Sequence, residues 1–128
     1  MANFETNKIM KGNPVPKNYQ VELNNWRKYP YNSWSFVNVR NLIPTAQIPV
    51  KPNSEPNFIS KFKNFDDLKI KHKEKNFLLK DIFNKCNTDA FLVMHKGKLL
   101  FEYFDNFTKK STPHIIFSIS KSLTSLLF

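Results

Sequence analysis

Between residues 90 and 104 the chain reads AFLVMH, then Lys96-Gly97, then KLLFEYF: two runs of alternating side chains around a two-residue connection. That pattern predicts a β-hairpin, with Gly97 supplying the positive φ that so tight a turn requires. Pairing across the turn sets Met94 opposite Leu99, Leu92 opposite Phe101 and Ala90 opposite Tyr103, so that these six share one face. Phe91, Val93, His95, Lys98, Leu100 and Glu102 fall on the other. An isolated two-stranded ribbon is marginal in water. The face bearing Leu92 and Phe101 is therefore expected to pack on another layer, with more sheet and a helix nearby.

Helical spacing appears twice. Ile119, Leu123, Leu126 and Leu127 follow i, i+4, i+7, i+8, while Ser118, Lys121, Ser122 and Ser125 follow i, i+3, i+4, i+7, which predicts a two-striped helix from Ser118 onward. No glycine or proline closes that pattern before Phe128, as expected of a truncated sequence. Phe77, Leu78, Ile82 and Cys86 predict a shorter amphipathic helix, ended by Asn87 and Thr88. Lys69, Lys71, Lys73 and Lys75 alternate through Ile70, His72 and Glu74, the pattern of a solvated edge strand or loop. Residues 1–56 hold seven of the eight prolines and keep no period. They read as an extended arm. Tyr19, Trp26, Tyr29, Tyr31, Trp34 and Phe36 punctuate it, and because a disordered tail is poor in aromatics the arm is expected to be fastened down. Its one expected helical turn is 35–42, capped by Ser33 or Ser35 and ended by Pro44.

Composition narrows the function. With 128 residues, 41% hydrophobic, the chain is long enough to bury a core. Its two glycines, Gly12 and Gly97, cannot form a phosphate-cradling loop, which sets aside P-loop, kinase and Rossmann chemistry. The net charge of +10 raises a nucleic-acid or anionic-membrane partner. However, only Arg27 and Arg40 among the 20 basic residues offer the planar fork suited to phosphates and guanine edges. The excess lysine comes with 16 asparagines and 13 phenylalanines, a bias that an AT-rich genome produces by itself. No nucleic-acid partner is therefore expected, and a basic module built on Lys69 to Lys75 stays as the alternative. Cys86 is the single cysteine, and His72, His95 and His114 have no ligand spacing, so neither a metal nor another cofactor is expected. The first residues lack the apolar core of a secretory signal, and no apolar run is long enough for a membrane helix. A cytoplasmic protein without a membrane partner is the expectation.

One spacing points to catalysis. Ser118 and Lys121, three apart on a helix, lie on one face, about 5–6 Å between Cβ atoms. A serine hydroxyl becomes a nucleophile when a neighbouring base takes its proton, and a lysine serves if desolvation or a nearby cation lowers its proton affinity. The same Ser-x-x-Lys spacing recurs at Ser60 and Lys63, as nine serines among so many lysines allow by chance. Serine is also a favoured helix cap. On spacing alone, Ser118 is open to either reading.

Context favours the first. The order of an apolar hairpin (FLVMHKGKLLFEYF), a polar loop (DNFTKKSTPH), an apolar lead-in (IIFSISKS) and a small-residue helix (LTSLLF) resembles the opening of the β-lactamase-like serine hydrolases, which include serine β-lactamases, penicillin-binding proteins and esterases. Within that superfamily the chain is most similar to the aminohexanoate-dimer, or nylon-oligomer, hydrolases. The arm segment NNWRKYPYNSWSFVNVRNLIPTAQIP resembles the aromatic, proline-punctuated arm of the same subgroup. The resemblance implies Ser118 as the acyl-forming nucleophile, with its own N–H as one oxyanion donor, and Lys121 as the activating base. It implies packing roles for Ser122, Ser125 and Tyr103, and a loop role for His114. The family's relay tyrosine and the late strand with the second oxyanion donor match no stretch here.

The expectation is thus an α+β chain with a β-lactamase/transpeptidase-like fold, an antiparallel sheet flanked by helices. Residues 1–56 form the arm, and 57–128 the N-terminal portion of the hydrolase domain. Its substrate would be a small amide or ester, its partner the missing C-terminal part of that domain. The isolated chain is expected to be inactive or nearly so.

Overall fold

The computed structural model describes residues 4–49, 59–65 and 67–127. It is an α+β structure of short elements, divided into two compact units, Met1–Thr45 with Ser111–Phe128, and Ala46–Lys110.

The second unit is built on the hairpin. Strands β4 (Ala90–His95) and β5 (Lys98–Phe104) pair antiparallel. At the turn Lys96 and Gly97 both have positive φ, 50° and 72°, the combination that matches a two-residue turn to strand twist. Met94 pairs with Leu99 as expected, but the register then slips, and Val93 pairs with Phe101, Leu92 with Glu102 and Phe91 with Tyr103. Leu100 is the extra residue of a β-bulge. Beyond it the faces of β4 are exchanged relative to simple alternation. Leu92 and Met94, expected inside, are each 51% exposed, while Phe91, Val93, Phe101 and Tyr103 share a face.

Helix α2 (Leu79–Lys85) covers that face. The Phe83 ring lies 4.5 Å from Tyr103, 5.0 Å from Phe91 and 6.4 Å from Phe101, centroid to centroid, and Phe83 is only 4% exposed. A cavity of about 250 Å³ opens beside Phe83, Phe101, Tyr103 and Phe65. The helix ends where Asn87 and Thr88 were expected to stop it: Asn87 takes φ 50°, and the Thr88 N–H donates to the Phe83 carbonyl at 3.0 Å, a Schellman closure. It starts later than its spacing predicts, because Phe77 and Leu78 belong to β3 (Lys75–Leu78), paired antiparallel with β2 (Lys69–His72). The lysine-rich stretch is therefore an exposed ribbon.

A short strand, β1 (Ile59–Ser60), lies on the other side of β5, giving the order β1-β5-β4. It runs parallel to β5, so the sheet is mixed and not the antiparallel one expected. The reason is local: the chain reaches β5 from β1 only after the ribbon, α2 and β4, a crossover of the length that parallel neighbours need.

In the other unit the arm is fastened, as its aromatics imply. Phe4 packs on Tyr19 and Tyr31, and the Tyr31 hydroxyl donates to the Asn18 carbonyl at 3.1 Å. Ile9 and Val21 are buried. Helix α1 (Asn32–Ser35) precedes the expected turn, and a 3-10 turn at Val39–Asn41 follows it. Neither Ser33 nor Ser35 is a cap. Both are buried inside the helix, and the Ser35 hydroxyl donates to the Trp26 carbonyl.

Candidate active site

Helix α3 (Ile119–Ser125) begins directly after Ser118. Its first turn is tied by three bonds, from the N–H groups of Ile119, Ser120 and Lys121 to the carbonyls of Ile116, Phe117 and Ser118, at 3.0, 3.2 and 3.0 Å. The last of these closes the i, i+3 turn and sets Ser118 and Lys121 on one side of the helix. Both residues are exposed. Ser118 holds the cap position with φ −70°, ψ −8°, but its side chain makes no capping hydrogen bond. Its neighbours spend their hydroxyls on the helix: Ser120 donates to the Phe117 carbonyl at 2.6 Å, Thr124 to that of Ser120 at 2.9 Å, and Ser125 to that of Ser122 at 2.8 Å. Such back-bonding gives Ser120, Thr124 and Ser125 structural roles.

The second Ser-x-x-Lys match has no such setting. Ser60 lies in β1, and the Lys63 N–H donates to the Leu100 carbonyl at 2.8 Å, continuing an extended segment. Extended chain does not bring i and i+3 to one side.

Upstream of Ser118, His114 packs its ring edge-on against Phe36 at 6.0 Å and directs Nδ1 to the Ile115 carbonyl at 2.7 Å. The Ile115 N–H in turn donates to the Phe36 carbonyl at 2.9 Å. Phe117 was not singled out by sequence. It has φ 43°, a left-handed conformation that costs a bulky L-residue about 1–2 kcal/mol. Its ring stacks on Trp26, centroids 6.3 Å apart and planes at 24°, and meets the edge of Phe36 at 5.3 Å. The aromatic arm was the available clue, although nothing in the sequence names its partner.

Tyr103, expected as a hairpin core residue, lies half-buried against Phe83, and burial, with Asp105 and Asp89 adding to it, pushes its phenol above the usual value of 10.0. The basic stretch does not form one surface. Register places Lys69 and Lys71 with Leu78 and Asn76 on one side of the ribbon, and Lys75 with His72 on the other. Lys73 sits in the turn at φ 54°. No cluster of His, Cys, Asp and Glu suited to a metal ion occurs among the described residues. None of the described helices is long and apolar enough to cross a membrane.

The mixed sheet with its covering helix in one unit, and in the other the helix headed by an exposed serine with lysine one turn on, have their likeness among hydrolases. The 6-aminohexanoate-dimer hydrolase of Paenarthrobacter ureafaciens is 29% identical over 101 residues, 79% of this chain and 24% of that protein. A structure solved from Bacillus anthracis as a "putative 6-aminohexanoate-dimer hydrolase" superposes with a TM-score of 0.78 at 29% identity, over 88% of this chain and 29% of that one. The chain thus spans about a quarter of the curated relative. Both matches are longer than residues 57–128 and so reach into the arm. No protein-family model matches.

Proposed function

We propose that this chain carries the nucleophile of a β-lactamase-like serine hydrolase acting on amide or ester bonds. Ser118 attacks the carbonyl carbon of the substrate and Lys121 takes its proton; the C–N or C–O bond then breaks as that proton passes to the leaving amine or alcohol, and water hydrolyses the acyl-enzyme. The observation that carries this reading is the setting of Ser118: a hydroxyl not used for capping, at the head of a helix and one turn from a lysine, in a chain resembling part of two proteins named as hydrolases. Among the described residues the N–H groups bonded in this turn are those of Ile119, Ser120 and Lys121, which leaves the Ser118 N–H to serve as an oxyanion donor. A lysine base requires desolvation, and the exposed side chain of Lys121 receives it only when further polypeptide or substrate covers the helix face.

On this reading residues 57–128 are the first part of the catalytic domain and residues 1–56 its arm. Chain outside these 128 residues supplies the relay tyrosine and the second oxyanion donor. The test is covalent labelling with a fluorophosphonate. A complete hydrolase assembled around this chain takes the label at Ser118, and Ser118→Ala abolishes both label and turnover. Turnover that survives Ser118→Ala rules the mechanism out. The isolated chain labels slowly or not at all, and rapid labelling there refutes its dependence on further polypeptide.

A further inference from the structure

We infer that Trp26 and Phe36 are positioning residues for the candidate nucleophile: together they hold Phe117 in its left-handed conformation and so fix the backbone bend that delivers Ser118 to the first turn of α3. The inference deepens the nucleophile reading of Ser118 and rests on it for its functional meaning. Its geometric content stands on its own.

A bulky L-residue stays in the left-handed region only where its surroundings over-determine it. Here they do so on several sides. The Phe117 ring stacks on the Trp26 indole and meets Phe36 edge-on, and Trp26 and Phe36 themselves meet edge-on at 6.3 Å, closing a three-ring cluster. The Arg27 guanidinium lies 4.7 Å from the centre of the Trp26 ring, and the Ser35 hydroxyl ties the Trp26 carbonyl. The Ile115 N–H to Phe36 carbonyl bond registers the lead-in segment against the arm two residues before the bend. On the far side of Phe117, its carbonyl accepts from both the N–H and the hydroxyl of Ser120, which couples the same residue to α3. Phe117 is thus held by the arm through its ring and by the helix through its carbonyl. Ser118 follows it directly.

Nuclear magnetic resonance of the whole chain tests this. A strong intraresidue cross-peak between amide and α protons at Phe117 is the signature of positive φ. The wild-type chain is expected to show it, and so is Trp26→Phe, which keeps an aromatic face. Trp26→Ala is expected to lose it, together with hydrogen-exchange protection at the Ser120 and Lys121 amides, while the β4 and β5 cross-strand signals persist. Phe36→Leu is the second variant, should the first leave the unit unfolded, and is expected to weaken the same signals. Phe117→Gly in the Trp26→Ala background is expected to restore the bend, because glycine adopts positive φ without a clamp. A wild-type Phe117 without the signature, or a folded Trp26→Ala chain that keeps it with unchanged Ser120 and Lys121 exchange, overturns the inference. Neither result depends on whether Ser118 reacts, so failure here is distinct from failure of the labelling experiment.

Discussion

Ser118 and Lys121 were legible as a pair because an i, i+3 spacing on a helix has one geometric meaning, and the structure places them one turn apart. The spacing did not separate them from Ser60 and Lys63. Secondary structure did, since an extended segment removes the shared side. Phe117 was illegible for a different reason: no intrinsic preference puts a phenylalanine at positive φ, and only tertiary contacts hold it there. If Lys121 is the base, Lys121→Met in the complete hydrolase lowers the rate of Ser118 labelling by roughly 10²–10⁴-fold, the usual range for a positioned proton acceptor, with the helix intact by circular dichroism. Tyr103 permits a prediction with a definite sign. Its phenol is raised in the folded chain, so its contribution is fully present below the unfolded value of 10.0 and is lost as pH climbs through the higher folded value. Denaturant midpoints measured from pH 8 to 11 are expected to fall above pH 10, and less steeply in Tyr103→Phe.

Among the elements, the hairpin turn, the Schellman end of α2 and the exposed lysine ribbon followed from local chemistry: a glycine in a tight turn, an asparagine at a helix end, lysines along a wet strand. The bulge did not. Leu99, Leu100 and Phe101 are all apolar, so a slip by one residue leaves the written pattern almost unchanged and reverses which side chains of β4 face inward. The parallel β1 was missed because a two-residue strand carries no period to detect. The packed face is now assigned to Phe83, Phe91, Phe101 and Tyr103, and this changes where substitutions hurt. Phe83→Ala is expected to cost about 3–5 kcal/mol by denaturant unfolding, whereas Leu92→Ala, on the wet side of the same hairpin, costs well under half of that. Equal costs at the two positions count against the observed register.

Across the whole chain, one apolar stripe has no cover among the described residues. Ile119 and Leu123 lie on α3, whereas Leu126 and Leu127, which the periodicity puts on the same helix, fall in the turn after it, and the last two are each 82% exposed. An exposed apolar stripe is an association surface. Sedimentation of the chain is expected to show concentration-dependent self-association that Leu126→Glu with Leu127→Glu removes. A fully monomeric chain at high concentration contradicts this. The division into units was not legible, because the arm's partner lies in the last residues of the chain and no local pattern links them. That connectivity bears on timing. The hairpin's strands pair within Ala46–Lys110, but Trp26 must wait for Phe117, which emerges from a ribosome only after that intervening stretch. Closing so long a loop comes late in folding for entropic reasons as well. Until then Trp26 and Phe36, the arm rings that meet this later segment, are available to chaperones or to other nascent chains.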